Sequence, residues 1–528
     1  MTDSAQNPYD QIIYPEAVFA QTHPDRLAVL AIMMGLSPAP VERARILELG
    51  CGTGGNIIPL AYQYPESLCV GVDYAAKQIE IGQSAVDALG LKNIQLLAED
   101  FMDMDEHSLG EFDYIITHGI YSWVPSPVQA KLLEITKRHL APNGVAYISY
   151  NTLPGWRMYG IGRELMLYRT RNITDPKERT EAARGVLKFM ADSAMAVEGS
   201  GTWSRFMNAY HIAIKSQSDY LATKPDELLF HDELEPNNEA VYFSEFMARA
   251  NAAGLEFLAE SYFPYSVTTN LPPAMQQELA KISGDLYELE QYMDFLRCRT
   301  FRQTLLVHSE VKIDRAISPQ RISRLYFASN MRRQPPAEGD NPKETKFASP
   351  DGDDVFRTED AFTVACFDLL TEAYPAEYAL GELTKAARER AFPYQVPPRT
   401  FEADAYMFAS NALVAYGRSQ SIVDVRATHT PCSIRRTEKP VASRLARYQA
   451  ATTPFVTNQK HERVTLDTTA RALIQLLDGA HDTEALIAAM RAHIVVPAGA
   501  PEAEIRENLL KEIEHILAWM ARSALLIG

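Results

Sequence analysis

Residues 44–56 read ARILELGCGTGGN, a short apolar run that ends in a cluster of glycines. Glycine allows the backbone to turn tightly and to approach a ligand closely. A helix is predicted from about Gly54, and the free N–H groups at its start can bind a carboxylate or phosphate. The stretch therefore predicts a strand, a glycine-rich turn and a helix that together hold a ligand.

Four further strand-like runs follow along the chain, and they alternate with amphipathic helical segments. They read SLCVGVD at 67–73, IQLLAED at 94–100, FDYIIT at 112–117 and GVAYISY at 144–150. Strands that alternate with helices predict a parallel sheet covered by helices on both faces. Residues 151–254 are predicted as a helical insertion, and residues 255–310 as the last two strands of the same sheet. The predicted fold class is α/β, with a Rossmann-like sheet of seven strands in which residues 1–150 form the ligand-binding core.

The remainder of the chain is predicted to form a separate α+β region. Residues 334–354 are rich in Pro, Gly and Asp, which is typical of a linker. Within residues 355–528, the segments TEDAFTVACFDLLTEAYPAEYALGELTKAARE and LDTTARALIQLLDGAHDTEALIAAMRAHI share one pattern of paired helices. This similarity predicts a winged-helix-like region that contains two related modules. Alternatively, the two amphipathic helix pairs resemble each other by chance.

Composition excludes several classes of function. The 528 residues carry a net charge of −17, which disfavours nucleic acid and anionic membranes as partners. No apolar run reaches the ~18 residues that a membrane span requires. The five cysteines form no CxxC pair, and the N-terminus lacks the pattern of a signal peptide. We therefore predict a cytoplasmic protein without a zinc or disulfide framework.

Two cofactor classes fit the glycine stretch. Gly50, Gly52 and Gly55 satisfy GxGxxG, which is also found in dinucleotide-binding proteins. Asp73 ends the second strand, where the ribose hydroxyls of either cofactor would lie. Asp100 is placed to accept from an adenine amine, with Phe101 beside the ring.

The set ELGCGTG, VGVD and AEDF, at residues 48–54, 70–73 and 98–101, resembles the class I S-adenosylmethionine-dependent methyltransferases. The resemblance implies S-adenosylmethionine as cofactor, S-adenosylhomocysteine as product, and a methyltransferase core over residues 1–150. It implies that Gly50, Cys51 and Gly52 lie along the methionine part and Glu48 beneath the sulfonium. Asp73 would bind the ribose, Tyr74 would flank adenine, and Asp100 and Phe101 would hold its amine and ring.

Four further segments resemble bacterial methyltransferases with a regulatory middle region, a group that includes the rickettsial protein-lysine methyltransferases. They are PEAVFAQTHPDRL at 15–27, THGIYSWVP at 117–125, YNTLPGW at 150–156 and HDELEPNNEAVYFSEF at 231–246. This resemblance implies a protein substrate methylated on lysine. His231, Asp232 and Glu233 are adjacent and would not converge on one metal ion, so they are predicted to be structural or substrate-facing, and no metal is predicted.

Candidate residues for the chemistry follow the fourth strand, at the sheet edge where such folds bind ligands. Tyr121 and Trp123 are predicted to line the acceptor pocket, although aromatic residues also serve as plain packing. His118 is the candidate base, or a group that fixes the cofactor, or a structural histidine. Tyr14 and His23 are candidates for an N-terminal arm that covers the cofactor.

Three other functions stay open at this stage. The chain could be a small-molecule N- or O-methyltransferase in which the helical insertion forms a lid. A nucleic-acid methyltransferase is disfavoured by the acidic tail and by THGIYSWVP in place of an Asp- or Asn-Pro-Pro-aromatic loop. A non-catalytic cofactor-binding protein would use the tail modules as its functional surface.

Overall fold

The computed structural model describes residues 17–104, 109–193, 201–339, 341–434, 437–493 and 501–528. Tyr14 lies outside the described residues. Among the helices that are described, none is long and apolar enough to cross a membrane.

A seven-stranded sheet forms the centre of the molecule. Its strands, in chain order, are β1 (Arg45–Leu49), β2 (Leu68–Asp73), β3 (Ile94–Ala98), β4 (Phe112–Thr117), β5 (Leu140–Asn151), β6 (Leu255–Glu260) and β7 (Phe301–His308). They lie side by side in the order β3-β2-β1-β4-β5-β7-β6, and β7 runs antiparallel to both its neighbours. The predicted α/β class, with a Rossmann-like sheet interrupted after its fifth strand, is confirmed.

Apolar side chains on the two faces of the sheet belong to two separate cores. Within β1, Ile46 joins one core and Leu47 joins the other, as the two-residue period of a strand requires. Helices that contribute to the first core are Pro24–Met33, Ile57–Gln63 and Ala76–Leu89. Those that contribute to the second are Ser126–His139 and Phe243–Ala252. Both faces are therefore buried, and ligands can enter only at the strand ends.

The insertion after β5 is a small helical bundle with its own apolar core. Its helices are Gly155–Thr170, Pro176–Ser193, Thr202–Ala222, Asp226–Leu228 and the π-helix Leu229–Glu233. The following helix, Phe243–Ala252, packs on the sheet instead of on this bundle. Helices Pro273–Ile282, Leu286–Arg297 and the 3₁₀ turn Phe263–Ser266 connect β6 to β7. The remaining short helices are Ala20–Thr22, Val41–Arg43, Tyr121–Trp123, Pro319–Ile322 and Arg491–His493.

The stretch predicted as a linker, residues 334–354, contains regular structure and is corrected here. Thr345–Ala348 pairs antiparallel with Val355–Thr358 and also with Arg332–Arg333. The turn between the first two strands is closed by Ser349 N–H, which donates to the Asp354 carbonyl over 3.0 Å. Pro, Gly and Asp serve here as turn residues, which have the same composition as a linker.

Two helical modules follow this small sheet. The first has helices Ala361–Ala373, Leu380–Ala391 and Phe401–Arg418, with the strands Tyr326–Ala328, Tyr378–Ala379 and Asp424–Arg426. The second has helices Arg444–Thr452, Thr468–Leu476, Thr483–Met490 and Glu502–Arg522, with the hairpin Phe455–Thr457 and Arg463–Thr465. The first module shares a core with one face of the seven-stranded sheet, whereas the second has its own core.

Candidate active site

A cavity of about 1230 Å³ opens at the carboxyl ends of the strands and extends into the helical insertion. One end is formed by the residues that follow β1, β2, β3 and β4. The other end is formed by the insertion and by the turn after β4. Ligands in parallel α/β sheets bind at this edge, so the cavity lies where the sequence pattern places a site.

The glycine-rich turn after β1 is shaped by backbone hydrogen bonds. Gly50 and Cys51 both donate their N–H groups to the Val72 carbonyl, over 2.8 and 3.1 Å. Gly50 has φ of 78°, and a Cβ there would lie 2.3 Å from Ile120 Cδ1. Only glycine fits this position, because a side chain would be strained and would collide with the next turn.

Asp73, at the end of β2, fixes the same turn. One carboxylate oxygen accepts from Gly52 N–H over 2.8 Å, and the other accepts from Ala75 N–H over 2.9 Å. Its neighbour Tyr74 is largely exposed but borders the cavity. The two strand ends are therefore joined at the floor of the cavity through a carboxylate.

Glu48 and Gln78 present buried oxygens to this floor. Asn56 Nδ2 donates to Glu48 Oε1 over 2.8 Å, while Glu48 Oε2 and Gln78 Oε1 have no hydrogen-bond partner among the described residues. Burial raises the pKa of Glu48 to about 8. Such orphaned acceptors are costly unless a ligand supplies the missing donor or positive charge.

Asp100 and Phe101 border the cavity directly after β3. Asp100 Oδ1 accepts from Met102 N–H over 2.9 Å, which closes a tight turn beneath the side chain. Phe101 is buried, and its ring belongs to the core on one face of the sheet. A flat apolar ligand group could therefore rest against a fixed ring beside a carboxylate.

His118 borders the cavity after β4 and is partly buried. Its Nδ1 lies 2.9 Å from Tyr147 Oη and 3.1 Å from Ser149 Oγ, and the Phe19 ring lies 4.1 Å from its ring. Burial lowers the pKa of His118 to about 4. The imidazole is therefore neutral near pH 7 and is a weak base, which disfavours its predicted role in deprotonation.

Three sequence predictions of the site are corrected or left open. Tyr121 is fully buried and packs against Phe246 and Tyr150, so its predicted place in the acceptor pocket is wrong. His23 does not border the cavity; it caps the helix Pro24–Met33, where its Nδ1 accepts from Asp25 N–H. Tyr14 lies outside the described residues, and Phe19 reaches the cavity from the N-terminal segment instead.

The insertion end of the cavity is aromatic and acidic. Trp123 meets Trp156 edge to face at 6.4 Å, and Trp156 lies 4.8 Å from the Tyr159 ring. The carboxylates that border this end are those of Asp232, Glu233 and Glu235. The sequence predicted Trp123 in the acceptor pocket and left Asp232 and Glu233 as structural or substrate-facing residues. Trp156 and Tyr159 were missed, although their WxxY spacing, which places both on one helical face, was a usable signal.

Comparison with known proteins agrees with this geometry. Family models match residues 41–182 (Methyltransferase domain), 225–308 (Predicted methyltransferase regulatory domain) and 438–525 (PKMT, C-terminal winged helix domain). An uncharacterized protein of Rickettsia prowazekii is 34% identical over 533 residues, covering 98% of this chain and 93% of that protein. The structure of PKMT2 from Rickettsia typhi in complex with AdoHcy has a TM-score of 0.85 at 27% identity, covering 98% of this chain and 100% of that one.

The chain belongs to the PKMT-type family of class I S-adenosylmethionine-dependent methyltransferases. Its cofactor is therefore S-adenosylmethionine, and the dinucleotide interpretation of the glycine motif is excluded. The orphaned oxygens of Glu48 and Gln78 fit a ligand that carries both an ammonium and a sulfonium charge. The predicted winged-helix region of this methyltransferase is confirmed over residues 438–525.

Proposed function

We propose that this methyltransferase acts on lysine side chains of protein substrates. The observation that carries the proposal is the continuous cavity, whose cofactor end leads into an end lined by aromatic rings and carboxylates. A lysine ammonium is attracted both by carboxylates and by the faces of aromatic rings. The PKMT name of the winged-helix family model and of the Rickettsia typhi protein supports the same substrate class.

The aromatic rings already accommodate one cation of the chain itself. The Arg163 guanidinium lies 5.9 Å from the centre of the Trp123 ring. Trp123, Trp156 and Tyr159 form a row of contacts along the cavity wall. A four-carbon lysine stem could lie along these rings while its amine reaches the reacting centre.

Glu233 is the candidate group for attracting the ammonium and taking up its proton. It is buried at the end of the π-helix, where the Tyr159 hydroxyl donates to Oε1 and Oε2 has no partner among the described residues. Burial raises the pKa of Glu233, so the carboxyl holds a proton more readily than an exposed one. A lysine ammonium, whose pKa in water is about 10.4, must lose a proton before its nitrogen can attack.

The cofactor supplies an electrophilic methyl carbon on a sulfonium centre when it is bound. The chain's part is to hold the amine in line with that carbon and to exclude water. Glu233 would take the proton that the lysine ammonium loses, and the free amine could then accept the methyl group while the carbon–sulfur electron pair stays with sulfur. Asp73 and Asp100 are proposed to hold the ribose and adenine, Gly50 to Gly52 the methionine part, with Tyr74 and Phe101 beside the ring.

A small-molecule acceptor is the second candidate, because the insertion forms part of the cavity wall. Gln217 and Tyr220, on the helix Thr202–Ala222, both border the cavity and would form the lid over a metabolite. The predicted absence of nucleic acid among the partners, and the predicted cytoplasmic location, stay predictions.

The test is to incubate the protein with methyl-labelled S-adenosylmethionine and a cell extract, then to separate protein, nucleic acid and metabolites. We expect the label in protein, mapped to lysine by mass spectrometry, and little label with Glu233→Gln. Label in metabolites alone would overturn the lysine proposal in favour of the lid. Glu227→Gln is the matched control, because Glu227 is an exposed carboxylate on the preceding helix.

A further inference from the structure

The loop between the two strands of the winged-helix hairpin is buried, although hairpin loops ordinarily lie at the surface. Its residues Asn458, Gln459, Lys460 and His461 are exposed by only 6, 7, 2 and 0%. The loop extends out of its own module and enters the space behind the cofactor end of the cavity. The hairpin loop therefore lies in a buried interface between its own module and the rest of the chain.

Specific bonds hold this loop in place. Lys460 Nζ lies 2.6 Å from Asp424 Oδ2, an ion pair that joins a buried lysine of the second module to a partly buried aspartate of the first. Asn458 Oδ1 accepts from Lys460 N–H and Glu462 N–H, which folds the loop tightly. Gln459 accepts at its carbonyl from Gln63 Nε2 of the core domain over 3.0 Å.

His461 has φ of 61°, a left-handed conformation that few residues other than glycine adopt. The conformation points the imidazole at the glycine-rich turn, 405 residues earlier in the chain. His461 Nε2 lies 2.8 Å from Asn56 Oδ1. Because burial lowers the pKa of His461 to about 3, the ring is neutral, and Nε2 must carry the proton that it donates to the amide oxygen.

Asn56 also forms hydrogen bonds with two residues that lie on different walls of the cavity. Its Oδ1 also accepts from Phe19 N–H over 3.0 Å, and its Nδ2 donates to Glu48 Oε1 over 2.8 Å. Phe19, Glu48 and Asn56 all border the cavity, whereas His461 does not. The amide can hold both walls only in one orientation, with Oδ1 facing the two N–H donors of Phe19 and His461.

We propose that His461 is a positioning residue for the cofactor site, so that the winged-helix module must be docked for S-adenosylmethionine to bind tightly. The module then does more than present a surface: its hairpin loop fixes Asn56, and through it the Glu48 carboxylate and the Phe19 segment. The proposal depends on the cofactor site alone and does not rest on the identity of the methyl acceptor.

The test measures affinity for S-adenosylmethionine and S-adenosylhomocysteine by calorimetry on the full chain. His461→Asn keeps a residue that tolerates the left-handed conformation but shortens the side chain, so the contact to Asn56 is lost. We expect it to weaken cofactor binding about tenfold, while His461→Gln, which retains a long N–H donor, loses less than about threefold. His515→Ala, an exposed histidine of the same module, should leave the affinity unchanged.

A double-mutant cycle distinguishes positioning from general damage. If His461 acts through Asn56, adding His461→Asn to Asn56→Ala should cost little beyond the single Asn56 change. Unfolding followed by circular dichroism without cofactor checks that each variant is folded. Unchanged affinity in a folded His461→Asn chain, or losses that simply add with Asn56→Ala, would overturn the proposal. Either result would leave the proposed lysine substrate unaffected, because that is read from the label in protein.

Discussion

The cofactor end and the insertion end of the cavity are built in different ways. The cofactor end is made by turns that directly follow β1, β2 and β3, and backbone N–H groups of those turns bind the Asp73 carboxylate and the Val72 carbonyl. The insertion end is made by side chains that come from the turn after β4, from the helix Gly155–Thr170 and from the π-helix Leu229–Glu233. The first end is set by local backbone geometry, and the second by packing between distant segments. Substitutions at the two ends should therefore change different measured quantities.

Asp73→Ala should give the largest effect and should act on cofactor affinity. The change removes the proposed ribose acceptor and also the two N–H bonds that fix Gly52 and Ala75. We expect S-adenosylmethionine to bind about 100-fold more weakly by calorimetry, since charge-assisted bonds are lost together.

Asp87→Ala is the control for that change, because Asp87 is exposed on the helix that follows Asp73. It should bind the cofactor as the unchanged chain does. Equal affinity in the Asp73 variant would show that the turn after β2 is not part of the cofactor site.

Glu233→Gln should act at the other end, on turnover. The amide keeps the shape and can still accept from Tyr159, but it cannot take up a proton or balance an ammonium charge. We expect the turnover to fall by about 30-fold, somewhat below the ~10²–10⁴-fold that loss of a general base typically costs, while cofactor affinity changes less than about twofold. A comparable fall in cofactor affinity would contradict the division between the two ends.

Trp123→Ala should have a smaller effect of the same kind. Loss of one aromatic face weakens the attraction for a cationic acceptor by about 1 kcal/mol, which corresponds to roughly a fivefold fall in kcat/KM for the acceptor. The control is Trp203→Ala, whose side chain is exposed on the insertion helix Thr202–Ala222. If cofactor affinity falls as much as kcat/KM, Trp123 packs on the cofactor and belongs to the first end.

The same contrast explains what the sequence could predict. Glu48, Asp73 and Asp100 each stand at the end of an apolar run, and parallel strands bring their ends together, so the cofactor end follows from local pattern. Tyr121 was misplaced because residues two apart in the 3₁₀ turn Tyr121–Trp123 point in directions about 120° apart, so the two rings do not share a face. Its true neighbour Phe246 comes from a helix more than one hundred residues later, which periodicity cannot locate.

Long-range contacts are the part that local pattern leaves out. Nothing in the residues around His461 indicates a bond to Asn56, because the hairpin loop has the composition of an exposed turn. Glu233 stood in the segment HDELEPNNEAVYFSEF, yet its burial beside Tyr159 depends on how two helices of the insertion pack. The sequence therefore showed which residue types were present, whereas the residues that they contact could be identified only from the folded structure.

His118 stands at the boundary between the two ends, and its replacement should have the smallest effect on turnover. His118→Asn keeps a polar group near Tyr147 and Ser149, so we expect less than about a threefold fall in turnover at pH 7 to 9. The stability of the chain should change with pH instead. Because burial lowers the pKa of His118 from 6.5 to about 4, the unfolded chain binds more protons between these values.

The contribution of His118 to the free energy of unfolding is therefore present above pH 6.5 and is lost as the pH falls towards 4. Denaturant unfolding at several pH values should show a shallower decline for His118→Asn than for the unchanged chain. A large fall in turnover, with a pH profile that loses an ionisation near pH 6 to 7, would restore His118 as the base. That result would also move the proton-accepting group from the insertion end, at Glu233, to the boundary with the cofactor end.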